Sequence, residues 1–137
     1  MKKTAGYSGT PLGKKLGLKE GQVVKLIAQP EHYFGLFTDF PEVRISKNTK
    51  PGKDFIHFFA TKLGEIEKKI PALKSELKQD GMIWVSWPKK SSKIPTDIDE
   101  NAIRRIALEN GLVDIKVCAI DETWSRLKLV IPVKDRK

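Results

Sequence analysis

Dense apolar runs bounded by turn residues recur along the chain and predict the strands of a sheet. The run Gln22–Ala28 is mostly apolar and β-branched and lies between a glycine and a proline, which is typical of a strand covered on both faces. A shorter run, Glu42–Ser46, predicts a second strand. Two later runs predict further central strands: Asp54–Ala60 and Met82–Trp87.

Helical signals lie before the first strand and directly after it. Thr10 is a suitable capping residue and Pro11 a suitable first helical residue, so we expect a short helix that ends at Leu16. After the first strand, the aromatic segment Glu31–Phe37 predicts a second short helix, which Gly35 weakens.

Two longer helices are predicted between the later strands. Lys62–Gln79 places apolar residues three and four positions apart, which predicts a helix with one buried stripe that Pro71 kinks or restarts. Asp97, followed three residues later by Glu100, predicts the cap of a last helix that ends at Asn110.

The chain ends with two alternating strands, Val113–Asp121 and Trp124–Val133, with no room for a helix between them. They therefore form an antiparallel hairpin. Pairing Ala119 with Leu127 brings both apolar sets onto one face, and that register needs an odd loop, which we expect to have five residues around Thr123.

Strands that alternate with helices imply right-handed crossovers and a parallel sheet. With 137 residues and 39% apolar composition, the chain has the size and the apolar content for one core. We therefore predict an α/β, single Rossmann-like, three-layer domain spanning residues 1–137, with a mainly parallel sheet. Residues 1–20 form an N-terminal arm with a short helix, and residues 113–133 form the antiparallel hairpin.

The composition excludes several classes of protein. Apolar stretches fall far short of the roughly twenty residues that span a bilayer, and the first thirty residues lack the apolar block of a signal peptide. A single cysteine makes no internal disulfide, and with two histidines it leaves no metal-ligand set. We expect a cytoplasmic bacterial protein with no metal, no membrane segment and no assigned cofactor.

The charge balance indicates an acidic partner. The chain has 26 Lys and Arg against 17 Asp and Glu, a formal net charge of +9. Such an excess suits an anionic ligand such as a nucleotide or nucleic acid, although lysine-rich loops commonly serve only solubility. The oligomeric state is not predicted.

Two segments resemble class I S-adenosylmethionine-dependent methyltransferases: Leu18–Leu26, which leads into the first strand, and Leu77–Ile83, which leads into a later one. Three others, Thr4–Leu12, Trp87–Lys90 and Lys116–Ser125, are similar to a bacterial family, domain of unknown function three thousand and fifty-two. The resemblance covers nearly the whole chain. It implies a methyltransferase-like Rossmann fold and assigns no activity.

The sequence departs from the methyltransferase pattern at two positions of the expected cofactor site. Those enzymes have a glycine-rich turn after the first strand and an acidic residue at the end of the second. Here the turn Gln29–Tyr33 has no glycine, Pro30 has no N–H, and Glu31 adds a negative charge. The second strand ends without a carboxylate. We therefore expect that the usual cofactor pocket is absent.

Ligands of parallel sheets gather beyond the carboxyl ends of the strands, and basic and hydroxyl residues follow those ends here. Lysines there attract anions as point charges, and the start of the helix near Asp97 offers backbone N–H groups unless Asp97 already caps them. The candidate ligand-binding residues are Lys47, Lys62, Trp87, Lys89, Lys90, Ser91, Ser92, Lys93 and Thr96.

Other conspicuous side chains have mainly structural interpretations. Trp84 and Trp87 are three residues apart in a strand, so they face opposite sides, and core packing is expected for both. His57 is interpreted as a hydrogen-bonded core residue, whereas His32 and Tyr33 lie on the altered turn and are candidates for lining a pocket.

The hairpin tip is a second candidate region. In the expected register Cys118 lies opposite Lys128, which would lower the pKa of the thiol, but a buried inert thiol is the alternative. Trp124 either anchors the tip to the body or meets a partner. The candidate residues of the tip are Cys118, Asp121, Glu122, Trp124 and Ser125.

Three functions remain open from the sequence. We favour a non-catalytic module that binds an anionic ligand, nucleotide or nucleic acid, at the basic rim of its sheet, and we name no catalytic residue. The alternatives are a divergent S-adenosylmethionine-dependent methyltransferase-like enzyme and a protein-interaction scaffold that uses the hairpin.

Overall fold

Six strands of the described chain form one sheet, in the order β2-β1-β3-β4-β6-β5. The computed structural model describes residues 12–38, 40–119 and 123–137. The strands are β1 (Val23–Ile27), β2 (Arg44–Ile45), β3 (Lys53–Phe59), β4 (Leu77–Pro88), β5 (Val113–Ala119) and β6 (Trp124–Val130).

Three α-helices accompany the sheet: α1 (Leu12–Leu16), α2 (Leu63–Glu76) and α3 (Glu100–Glu109). Short 3₁₀ turns cover Tyr33–Leu36, Lys90–Ser92 and Val133–Asp135. The short first helix ends at Leu16 as predicted, and Gly17 follows it with a φ of +86°, a left-handed conformation that glycine adopts without steric cost.

The four strands β2, β1, β3 and β4 run parallel to one another, and β6 runs antiparallel to both of its neighbours, β4 and β5. This is the predicted α/β, Rossmann-like arrangement with a C-terminal antiparallel hairpin. We call the border of the sheet at which β1 to β4 end the carboxyl edge, and the opposite border the amino edge.

Helices α2 and α3 cover one face of the sheet. Their buried residues, which include Ile66, Ile70 and Ile103, pack with sheet residues such as Ile56 and Val85 in one core cluster. This face contains the larger of the two apolar clusters. The amphipathic spacing read from the sequence therefore identifies the face that each helix buries.

The other face carries a smaller, aromatic cluster. Leu16 of α1 and Tyr33 of the first 3₁₀ turn pack there against Phe55, Phe59 and Trp84. The indole nitrogen of Trp84 donates to the Leu16 carbonyl oxygen at 2.8 Å. Two covering layers and one sheet give the predicted three layers.

Helix α2 ends three residues earlier than the sequence pattern predicts. Its last residue is Glu76, whose carbonyl accepts from the Gly52 N–H at 3.0 Å, and β4 begins at once with Leu77. Leu77 is 4% exposed and pairs with Lys53, so burial against β3 outweighs its helical spacing. The helix runs through Pro71 without restarting.

The predicted helix over Glu31–Phe37 is a single 3₁₀ turn. Tyr33 is 1% exposed and Phe37 is 9% exposed, so both are anchored in the aromatic cluster. A tight turn around Gly35 is enough to bring both rings into the cluster, so the segment does not extend into a longer helix.

The hairpin forms, but its register differs from the expected one by two residues. Ala119 pairs with Ser125 in place of Leu127, and Cys118 lies opposite Arg126, so the expected pairing of Cys118 with Lys128 is wrong. Because the shift is even, Leu127 and Leu129 keep their buried face. The expected five-residue loop involves residues 120–122, which lie outside the described chain, so its length stays a prediction.

A break in the pairing between Asp114 and Lys116 changes the first arm of the hairpin. Ile115 belongs by alternation to the apolar set of this arm, which includes Ala119, but it is 59% exposed. A bulge adds one residue to a strand and turns it outward, which explains why strict alternation failed at this position.

Candidate functional site

Two loops at the carboxyl edge hold most of the predicted site. Lys62 follows β3, and Lys89, Lys90 and Lys93 follow β4; Lys89 is half-buried and the other three are exposed. Because β3 and β4 are parallel neighbours, the two loops leave the sheet side by side. We call these four lysines the basic edge.

Lys47 follows β2, in a loop that leads away from the basic edge. The loop returns toward the amino edge, where the Asn48 carbonyl accepts from the ammonium groups of Lys25 and Lys53, each at 3.0 Å. These lysines flank Glu76, the last residue of α2, which is 3% exposed. No sequence pattern indicates this buried cluster, because Lys and Glu are usually exposed.

Two of the predicted ligand hydroxyls are engaged within the protein. The Ser92 hydroxyl donates to the Lys89 carbonyl at 2.7 Å, and the Thr96 hydroxyl donates to the Thr61 carbonyl at 2.6 Å. The first bond closes a tight turn, and the second joins the loop after β4 to the loop after β3. Ser91 is exposed.

Asp97 has a different partner from the one expected. Its carboxylate accepts from the Leu63 N–H at 2.7 Å, so it caps α2, whereas Asp99 caps α3 by accepting from Ala102 at 2.8 Å. Asp99 lies three residues before Ala102, so this cap was visible in the sequence, but Asp97 competed with it. Both helix starts therefore already hold a carboxylate where an anion would bind.

Trp87 offers little surface to a ligand. It is 7% exposed and belongs to the cluster under α2 and α3, whereas Trp84 is fully buried on the opposite face. The expectation that the two indoles face opposite sides and pack in the core is confirmed.

The turn after β1 contains a strained residue. Ala28 has a φ of +56°, a left-handed conformation that costs a side-chain-bearing residue about 1–2 kcal/mol. Lys93, in the loop after β4, has a φ of +63°. These two are the non-glycine residues of the described chain with positive φ, and both lie at the carboxyl edge. Such strain clusters at ligand and active sites.

Tyr33, His57 and Ser86 form a buried polar chain behind that edge. The Tyr33 hydroxyl lies 3.0 Å from Nδ1 of His57, and the Ser86 hydroxyl lies 2.8 Å from its Nε2. His57 and Ser86 are fully buried, so the predicted hydrogen-bonded core histidine is confirmed, and Tyr33 does not line an open pocket.

Burial sets the protonation states of His57 and Tyr33. It lowers the pKa of His57 to about 3, with a further contribution from the positive charge of Arg126. Burial also raises the pKa of the Tyr33 phenol well above its usual value. Both side chains are therefore neutral near pH 7, and enclosure makes them a structural link between three elements.

The hairpin tip is attached to the basic edge. The Lys89 N–H donates to the Thr123 carbonyl at 2.7 Å, and Trp124 pairs with Pro88 and meets Phe59 edge to face at 5.1 Å. Trp124 thus anchors the tip to the body. Asp121, Glu122 and the side chain of Cys118 lie outside the described residues, while Ser125 pairs with Trp87 within the sheet.

The described part of the chain contains neither a metal-ligand group nor a membrane-spanning helix. No group of three His, Cys, Asp or Glu residues there could hold a metal ion. No helix in the same residues has the length and apolar character needed to cross a bilayer.

Solved structures with a similar fold are methyltransferases. A SAM-dependent methyltransferase from Aquifex aeolicus matches with a TM-score of 0.61 and 18% identity, over 88% of this chain and 87% of that one. A ribosomal protein methylase from Lactobacillus delbrueckii matches with a TM-score of 0.59 and 12% identity, over 88% and 75%. Magnesium protoporphyrin IX methyltransferase from Synechocystis, with bound SAM, gives 0.53 and 14%, over 87% and 74%.

These likenesses show a methyltransferase-like Rossmann fold. No protein-family model matches the chain, and no curated protein matches it in sequence. The resemblance to domain of unknown function three thousand and fifty-two therefore stays a prediction.

Proposed function

We propose that this protein is a divergent member of the methyltransferase fold that binds an S-adenosylmethionine-type ligand at its carboxyl edge. The observation that carries the proposal is the strained turn after β1. In open α/β sheets the ligand lies beyond the carboxyl ends of the strands, and Ala28 adopts there the left-handed conformation for which glycine is the default residue.

The residues at this edge provide only some of the features that bind such a ligand. Alanine is the smallest side chain after glycine, and Ala28, Gln29 and Glu31 are exposed, so the turn is open to an incoming molecule. However, Pro30 offers no N–H, and β2 ends at Ile45 with no acidic residue to accept from ribose hydroxyls.

The absence of an acidic residue at the end of β2 lowers the affinity that we expect for the ligand. A hydrogen bond to a charged group contributes about 1.5–3 kcal/mol, so its loss weakens binding by roughly tenfold to a hundredfold. We therefore expect weak, saturable binding. The non-catalytic interpretation of the sequence stays a prediction.

Isothermal titration calorimetry with S-adenosylmethionine tests the proposal. We expect saturable heat of binding with one site per chain. Even a millimolar dissociation constant represents a binding free energy of about −4 kcal/mol, so the absence of binding heat at about 1 mM ligand would reject the proposal.

A charge variant locates the ligand. Glu31→Gln removes the exposed carboxylate of the turn and is expected to weaken binding of S-adenosylmethionine, whose sulfonium and ammonium groups outweigh its single carboxylate, about twofold, while leaving adenosine unaffected. Glu20→Gln, an exposed glutamate before β1, is the matched control. Equal responses of the two variants would contradict the placement.

A further inference from the structure

Ion pairs hold several cations that lie away from the carboxyl edge. Lys25 and Lys53 contact Glu76, Lys78 contacts Asp54, and Arg104 contacts both Glu100 and Asp114. By contrast, Lys62, Lys89, Lys90 and Lys93 form no ion pair with any residue in the described ranges.

Two described carboxylates at the start of α2 accept hydrogen bonds from backbone N–H groups. Asp97 accepts from the Leu63 N–H, and Glu65 accepts from the N–H groups of Thr61 and Lys62, each at 3.2 Å. Each carboxylate thus lies at the positive end of α2, where the helix dipole offsets part of its charge. Among the described residues, the lysines of the basic edge therefore have no ion-pair partner.

A half-buried indole borders the same surface. Trp124 lies opposite Pro88, one residue before Lys89, and the backbone of its neighbour Thr123 is bound to Lys89. Trp84 is fully buried and Trp87 is 7% exposed, so Trp124 is the tryptophan closest to solvent. Lysines beside an accessible aromatic ring are the combination by which proteins bind single strands, through phosphate contacts and base stacking.

We propose that the basic edge and Trp124 form a docking surface for single-stranded nucleic acid. The lysines contact consecutive phosphates, and the Trp124 ring contacts a base. This surface is independent of the proposed adenosyl ligand: it lies on the loops after β3 and β4, whereas the adenosyl proposal is built on the turn after β1. Either proposal therefore survives failure of the other.

Fluorescence anisotropy with a labelled 20-nucleotide single-stranded RNA of mixed sequence tests the proposal. With four phosphates neutralised, the slope of log K against log salt is about −3, since each contributes roughly −0.7 on a single strand. Lys89→Ala with Lys90→Ala is expected to reduce the slope by about 1.4 and to weaken binding about tenfold near 0.1 M salt.

The matched control removes the same charge elsewhere. Lys68 and Lys69 are exposed on the outer face of α2, and Lys68→Ala with Lys69→Ala is expected to change the affinity by less than about twofold. If this control weakens binding as much as the edge variant does, attraction by net charge alone explains the data and the docking surface is rejected.

Trp124 provides an independent readout. RNA is expected to quench the intrinsic fluorescence of the protein, and Trp124→Phe, which keeps a ring against Phe59, is expected to abolish most of that quenching while the circular dichroism spectrum stays unchanged. Equal affinity for a 20-base-pair duplex, or quenching that persists in Trp124→Phe, would overturn the proposal.

Discussion

At the scale of single residues, Ala28 combines an ordinary amino acid with an uncommon backbone conformation. Its φ of +56° predicts that Ala28→Gly stabilises the protein by about 1 kcal/mol, because glycine enters the left-handed region without strain. Urea unfolding measures the change. Ala72→Gly in α2 is the control and should destabilise by about 1 kcal/mol, since glycine is a poor helix former. Loss of stability in Ala28→Gly would show that this turn is not strained.

His57 predicts how the stability depends on pH. Its pKa is about 3 in the folded protein and about 6.5 in an unfolded chain, so below pH 6.5 the unfolded state binds more protons. The contribution is fully present above pH 6.5 and is lost as the pH falls toward 3, at about 1.4 kcal/mol per pH unit.

Urea unfolding at pH 7, 6 and 5 measures this slope. His57→Gln keeps a polar side chain next to Tyr33 and Ser86 but does not titrate, so it should be less stable at pH 7 and its slope should be flatter by about one proton. A slope unchanged by the substitution would show that other groups carry the pH dependence.

At the scale of elements, the junction between α2 and β4 depends on one close approach. A Cβ atom on Gly81 would lie 2.8 Å from Cδ1 of Leu77 and 2.9 Å from the Lys53 carbonyl oxygen. These contacts arise where the pairing of β3 with β4 shifts by several residues. Glycine at this point therefore permits the strand to begin directly after the helix.

Gly81→Ala should consequently destabilise the protein by about 1–3 kcal/mol, because a backbone oxygen cannot yield to the new methyl group as a side chain does. Gly64→Ala, in the first turn of α2 with no atom within 4 Å, should stabilise by about 0.5–1 kcal/mol. Thermal unfolding of both variants compares them, and an equal shift of their midpoints would refute the assignment of a tight junction.

The bounds of an element were predictable where one of its faces is buried, because burial requires apolar residues at a regular spacing. The strands β1 and β3 and the helix α3 lie close to their predicted bounds, because one side of each contacts a core. The limits of β4 and the hairpin register were missed, since both depend on an irregular pairing with a neighbouring strand that no local pattern reveals.

At the scale of the whole molecule, the sequence predicts the excess of positive charge but not its placement. Whether a lysine is paired depends on which carboxylates the fold has already used: Asp97 caps α2, and Glu76 is buried between Lys25 and Lys53. The Tyr33–His57–Ser86 chain was equally hidden, because it joins residues more than twenty positions apart. Candidate side chains can thus be named from sequence, while their partners require the fold.

The bond between the Thr96 hydroxyl and the Thr61 carbonyl, together with the one between Asp97 and Leu63, has a mechanical consequence. It fastens the stretch after β4 to the start of α2, so neither swings outward without carrying the other. The segment between β1 and β2 is held differently, because the buried Tyr33 and Phe37 rings attach it to the aromatic cluster.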